Sequence, residues 1–205
     1  MKWYSIGSLS FPASWAAISA ALICAYVYTR LQRKNMAADI FSNAFFIFLL
    51  TWKLSVILFQ FKTVYSNPFA VVYFNGGIKG YWLGITIAFL YLFFAEKKLD
   101  SQEKDLLMEV WIVIITVYEL VYYLLNKWHI LLSGFQLIGS VVFLMLLRRN
   151  FSDKVWSIQI LVLFTCFQGL IYSLAGNILS VPMATYTFGT LILGWAAWKG
   201  SRKKQ

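Results

Sequence analysis

Ionisable side chains inside apolar segments are where chemistry is to be sought in this chain, because each costs roughly 2.5 to 3.5 kcal/mol to place at the centre of a bilayer. Three qualify. Lys53 lies in an apolar run that reads as a second helix, and Glu109 and Glu119 lie ten residues apart in a fourth. Ten helical residues rise about 15 Å, which brings Glu119 to a depth comparable with Lys53. The two are expected either to form an interhelical ion pair that fixes packing or to line a polar cavity that receives a lipid headgroup.

The segment from Tyr73 to Gly84 holds Gly76, Gly77, Gly80 and Gly84 with Lys79 among them. Glycines let backbone N–H groups approach an anion closely at a helix start, so a phosphate would suit it. A plain glycine-rich turn entering a helix, with Gly80 and Gly84 packed closely on a neighbour, accounts for the same residues. The one histidine, His129, stands beside Lys127 and Trp128, an aromatic and basic cluster of the kind found at membrane interfaces. With one histidine, two cysteines and few carboxylates, local spacing assembles no metal-ligand set and no Ser-His-Asp or Cys-His arrangement. No cofactor is expected. Cys24 and Cys166 fall inside apolar segments, where free cysteine behaves as a small hydrophobe; an intramembrane dithiol serving a thiol-redox partner is the alternative.

The elements that position these residues follow from composition. The 205 residues are 60% hydrophobic and only 13% charged, with mean hydropathy +0.69, against about 45 to 50% and about 25% in soluble domains. An all-α, polytopic membrane protein is expected, organised as a single transmembrane domain over 1–205. Apolar runs and charged breaks predict seven helices at about 12–30, 39–61, 80–95, 105–126, 129–147, 155–175 and 179–198. Asp39 or Ser42 is expected to cap the second, and Pro182 to sit in the first turn of the last. The third is short for a span, and a partly inserted segment at 69–74 is expected to complete it. At roughly 20 residues per span, seven spans leave no room for a folded extramembrane domain.

Positive residues orient such a chain. Connections after the first, third and fifth helices and the C-terminal tail hold Arg30, Arg33, Lys34, Lys97, Lys98, Lys104, Arg148, Arg149, Lys154, Lys199, Arg202, Lys203 and Lys204, thirteen of the 18 Lys and Arg. The other side holds Lys2, Lys62, Lys79 and Lys127. The N-terminus is therefore expected outside and the C-terminus inside, which requires an odd number of spans. The net charge of +10 is dispersed through short interhelical runs, so it reads as a topology signal and not as a nucleic-acid surface. No cleaved signal peptide is expected, since the first apolar stretch continues to Arg30 without a cleavage pattern.

Several short stretches in order resemble the prolipoprotein diacylglyceryl transferases, seven-helix bacterial membrane enzymes that move diacylglyceryl from phosphatidylglycerol onto a lipoprotein signal-peptide cysteine. The resemblance is carried by Ile6-Gly7, Thr29-Arg30, the run Lys53 to Phe59, Asn67-Pro68, the Asn75-Gly76-Gly77 turn, Gln136-Leu137, and Gly176-Asn177-Ile178-Leu179-Ser180-Val181-Pro182-Met183. It implies a multi-pass protein of the bacterial cytoplasmic membrane whose partners are a phosphatidylglycerol-like phospholipid and a lipoprotein signal segment. At the functional positions the chain departs from the family. Tyr81 and Trp82 stand where the resemblance places a catalytic histidine, Lys53 where it places an arginine, Tyr123 where it places another, Gln168 where it places an essential arginine, and Tyr172 where it places an acid. Glu109 and Asn126 match the family's acid and asparagine, while Val117-Tyr118-Glu119-Leu120 replaces a glycine-rich run. The expectation is a divergent relative with impaired or lost transfer that keeps a lipid-binding cavity lined by Lys53, Gly76, Gly77, Lys79, Glu109, Asn126 and Gln168. An active transferase using Tyr81 is the alternative.

Overall fold

A computed structural model describes residues 3–6, 9–32, 35–69, 71, 76–99, 101–126, 130–149 and 154–202. Tyr73, Phe74, Asn75, Lys127, Trp128 and His129 lie outside the described residues, as does most of the 69–74 segment. An antiparallel hairpin, β1 (Trp3–Ile6) and β2 (Leu9–Pro12), pairs Tyr4 with Phe11 and Ser5 with Ser10. This hairpin precedes a chain that is helical from Ala13 onward, as the all-α expectation has it. The helices are α1 (Ala13–Leu31), α2 (Asn35–Phe59), α3 (Phe61–Ser66), α4 (Gly77–Ala95), α5 (Ser101–Asn126), α6 (Ile130–Arg149), α7 (Lys154–Leu174) and α8 (Val181–Arg202), with a 3-10 turn at Glu96–Lys98.

Six of these, α1, α2, α4, α5, α6 and α7, are long and apolar enough to cross a membrane, and the chain is a multi-pass membrane protein. Large apolar side chains point outward along them, Ile23, Leu58, Leu90, Ile138 and Leu170 among them, as lipid-facing residues do. The helix α8 has 22 residues and thus spanning length, but Thr185, Thr187 and Thr190 make it more polar. Pro182 sits in its first turn, where a missing N–H costs nothing. The second helix starts at Asn35, so Asp39 and Ser42 are interior residues and not caps. Ala37 and Ala38, both good helix formers and both fully buried, carry that extra turn. The third long helix, α4, starts at Gly77 and reaches 19 residues.

The helices group into two compact units, one of residues 1–34 and 100–205 and the other of residues 35–99. In the smaller unit α2 packs along α4. Gly76, Gly80, Gly84 and Ala88 present a buried face with no side chain larger than methyl, spaced four apart so that they line one side of the helix. A Cβ on Gly84 would stand 3.0 Å from the Phe48 carbonyl oxygen and 3.3 Å from the Trp52 nitrogen. The glycines therefore bring two backbones together, as small residues do between membrane helices.

The larger unit repeats the device. Ala13, Ala17, Ala21, Ala25 and Thr29 form the buried stripe by which α1 lies along α5. The helix α5 is the axis of this unit, packed also by α6, α7 and α8. Its core is built on Met108, Ile112, Ile115, Leu147, Leu161 and Phe164. Rings fill the glycine notches elsewhere, Phe167 against Gly139 and Trp111 against Gly189. Hydroxyl pairs add hydrogen bonds between helices, as between Thr165 and Thr190 at 2.7 Å. The hairpin joins the unit through Tyr4, whose hydroxyl donates to the Leu125 carbonyl oxygen and so satisfies one of the last carbonyls of α5.

Candidate functional site

The polar groups of the larger unit concentrate on α5 to α8. Glu119 lies two turns before the end of α5 and is buried to 1% exposure. Its Oε1 accepts hydrogen bonds from the Tyr172 hydroxyl on α7 and the Tyr186 hydroxyl on α8, each at 2.5 Å. Its Oε2 has no hydrogen-bond partner among the described residues. Tyr118 and Tyr122 stack on one another, and Tyr118 meets Tyr186 edge to face, as Tyr172 does. A carboxyl thus sits among phenols from three helices. Tyr172 is held in register by the end of α7: Gly176 takes φ of +70°, and the Asn177 N–H donates to the Tyr172 carbonyl oxygen while the Gly176 N–H donates to that of Ser173. That is the Schellman termination, which needs a left-handed residue best supplied by glycine.

One turn before Tyr172 on α7, about 6 Å along the axis, Gln168 is fully buried and accepts a hydrogen bond on its Oε1 from Nε2 of Gln136 on α6, at 2.5 Å. The outer atoms of this amide pair, Gln136 Oε1 and Gln168 Nε2, have no partner among the described residues, nor does the Ser140 hydroxyl one turn along α6. The pair therefore offers one acceptor and one donor inward, beside a hydroxyl that can do both. Buried polar atoms of native proteins are satisfied as a rule, and in a membrane interior an unsatisfied one costs several kcal/mol. Such a cluster is equipped to hold a small hydroxylated group.

At the opposite end of α5, Glu109 is buried and ion-paired to Arg148 of α6, with Nε 3.2 Å from Oε1 and Nη2 3.4 Å from Oε2. The Tyr28 hydroxyl of α1 donates to Oε2 and accepts from Arg148 Nη2 at 2.5 Å. Sequence reading names Glu109 but counts Arg148 only towards orientation and misses Tyr28. Glu109 and Asn126 lie near opposite ends of one helix, about 25 Å apart along its axis, so they do not face a common headgroup. Asn126 Nδ2 donates to the Tyr122 carbonyl oxygen of its own helix.

Lys53, Gly76, Gly77, Lys79 and Tyr81 belong to the smaller unit, whereas Glu119 has its partners within the larger one. The Gly76 N–H donates to the Trp52 carbonyl oxygen, and the Gly80 N–H to that of Gly76, so these two donors serve the turn and the helix. Close packing accounts for Gly76, Gly80 and Gly84. Gly77 takes φ of +58°, and its carbonyl oxygen accepts from the Trp52 indole at 3.2 Å. Tyr81 packs its ring against Phe48, Trp52 and Trp82. Lys53 is half-buried and Lys79 exposed. Cys24 and Cys166 are free thiols exposed on their helices. No group of three or more His, Cys, Asp or Glu among the described residues is placed to hold a metal ion.

The partnership of Gln136 and Gln168 was open to sequence reading in one respect, since Gln136 is the lone amide of its apolar run and the next run, an adjacent antiparallel helix, carries only Gln159 and Gln168. The tyrosines about Glu119 gave no such signal, because 12 tyrosines are spread along the chain. Comparison with known proteins finds no match: no family model, no curated protein and no solved structure is significantly similar to the chain.

Proposed function

We propose that this is a membrane-embedded phospholipid-binding protein, a divergent relative of the prolipoprotein diacylglyceryl transferases in which transfer is lost or impaired. In this reading it crosses the bacterial cytoplasmic membrane seven times, α8 included, with its N-terminus outside and C-terminus inside. Its ligand is a phosphatidylglycerol-like headgroup, and a lipoprotein signal segment is its further partner. The observation that carries the reading is the set of open polar atoms inside α5 to α7: Glu119 Oε2, Gln136 Oε1, Gln168 Nε2 and Ser140 Oγ. A glycerol hydroxyl donates to a carboxylate or an amide oxygen and accepts from an amide nitrogen, so a polyol headgroup carries the groups that such atoms lack.

Loss of transfer has its own support. Transfer requires a base to make a thiolate and cationic groups to stabilise a departing phosphate. At the position where the resemblance places an arginine, Gln168 is neutral and already bonded to Gln136. Losing one such stabilising group typically costs about 3 kcal/mol of transition-state energy.

The test is lipid retention by the protein purified in detergent. Phosphatidylglycerol is expected to remain bound, measured by native mass spectrometry, in preference to phosphatidylcholine. Replacing both amides by leucine, Gln136→Leu with Gln168→Leu, removes a matched pair and should abolish that preference in a folded protein. Unchanged preference would exclude the site. Expression in a bacterium depleted of its own transferase should give no prolipoprotein lipidation, and lipidation there would show that transfer is intact.

A further inference from the structure

At the end of the larger unit remote from Glu119, the termini of α1, α5 and α6 meet, because Tyr28, Glu109 and Arg148 bond to one another. The three side chains do not share one environment. Glu109 is almost wholly buried, at 3% exposure of its side chain, while that of Arg148 is 50% exposed. A guanidinium is a planar fork with two usable edges. Arg148 spends the side edge, Nε and Nη2, on the Glu109 carboxylate. Its charged centre also lies 5.7 Å from the centre of the Tyr28 ring. Nη2 also donates to the Tyr28 hydroxyl, whereas Nη1, directed away from the carboxylate by the planarity of the group, makes no hydrogen bond to the described residues.

This is the arrangement by which one acid orients an arginine for a second anion. The rotamer freedom that an exposed arginine would lose on binding is already lost. Nη1 keeps its N–H donors for an oxygen of a phosphate or carboxylate, a charge-assisted bond from a group already held in place. The surroundings select charge. Arg149 follows in the same last turn of α6, and Arg30 ends α1 with its Nε 3.1 Å from the Tyr26 hydroxyl; both are exposed. The acids of the same end, Glu103 and Asp105 in the first turns of α5, are buried at 8% and 6%. Among the described residues of this end, the outward charge is positive.

We infer that Arg148, oriented by Glu109 and Tyr28, is the centre of a binding site for a phosphate-bearing anion at this end of the larger unit, with Arg149 and Arg30 supplying the attracting field. The site is separate from the interior cluster of Glu119, Gln136 and Gln168 and does not depend on the function proposed for it. Its ligand chemistry is a phosphate group with at least one full negative charge, borne by an anionic lipid headgroup or by a soluble phosphate.

The experiment measures thermal stabilisation of the detergent-purified protein on titration with phosphatidic acid, with phosphatidylcholine and with inorganic phosphate. Phosphatidic acid has no glycerol headgroup, so its effect reports on this site and not on the interior one. Stabilisation by phosphatidic acid alone assigns the site to the membrane surface, and equal stabilisation by inorganic phosphate assigns it to a soluble ligand. The decisive variant is Glu109→Gln with Arg148→Gln, which removes both charges and orphans neither. It should lose the response, while Q136L/Q168L should keep it. Arg148→Lys retains charge but not the fork and should bind about tenfold more weakly; it decides the matter even if the double variant does not fold. No stabilisation of the wild type by either phosphate source beyond that by phosphatidylcholine, or an undiminished response in the Arg148 variants, would overturn the assignment.

Discussion

Glu119 organises two tyrosines from two other helices, and the cost of removing it can be worked from its bonds. The Tyr172 and Tyr186 hydroxyls both donate to one oxygen at 2.5 Å, in a setting where Glu119 is 1% exposed and the tyrosines 8% and 5%. Replacing Glu119 by leucine leaves two buried O–H donors without an acceptor. At about 1 to 3 kcal/mol for each orphaned group, the loss is about 2 to 6 kcal/mol. Glu119→Gln keeps an oxygen where Oε1 stands and gives up only the charge assistance of the two bonds, a loss of about 1 kcal/mol each. Removing the donors together with the acceptor, as in Glu119→Leu with Tyr172→Phe and Tyr186→Phe, should restore most of the stability, since no polar atom of the three is left alone. The assay is reversible unfolding in detergent followed through tryptophan fluorescence, arranged as a mutant cycle. Leucine and glutamine variants of equal stability, or a triple variant no more stable than Glu119→Leu, would refute the hydrogen-bonded account.

Three further outcomes follow from the backbone. Gly84→Val should destabilise by about 1 to 3 kcal/mol, because its Cβ meets the Phe48 carbonyl oxygen at 3.0 Å and the Trp52 nitrogen at 3.3 Å, backbone atoms that cannot rotate aside. Gly134→Ala on α6 is its counterpart: no atom lies within 4 Å of the added Cβ, so thermal unfolding should show stabilisation of up to about 1 kcal/mol from helix propensity alone. Gly176→Ala forces an L side chain to φ of +70° and should cost about 1 to 2 kcal/mol, with Gly176→Asn closer to wild type in the same unfolding measurement.

What the amino-acid sequence determined by itself is the class of molecule and the course of its helices. Apolar runs of spanning length need no tertiary context, because each helix satisfies its own backbone hydrogen bonds; all seven predicted segments are helical, with most ends displaced by one to four residues, and six of them are long and apolar enough to cross a membrane. The glycine spacing at Gly80 and Gly84 also stated a local fact, the close approach of a neighbouring helix, and α2 occupies that place. The N-terminal hairpin was not legible, since two strands of four residues each have too short a pattern to stand out beside an apolar helix. Pairing of polar side chains was decided only by the tertiary structure. Glu109 meets Arg148 across 39 residues of chain, Gln136 meets Gln168 across 32, and Glu119 meets Tyr172 across 53 and Tyr186 across 67. Such contacts depend on which helix faces are turned together, and every face of these helices is apolar enough to meet lipid or protein alike. In water a polar stripe would mark the exposed side and thereby the buried one; in a bilayer that contrast is missing, and packing of small residues, read in three dimensions, settles which polar atoms come together.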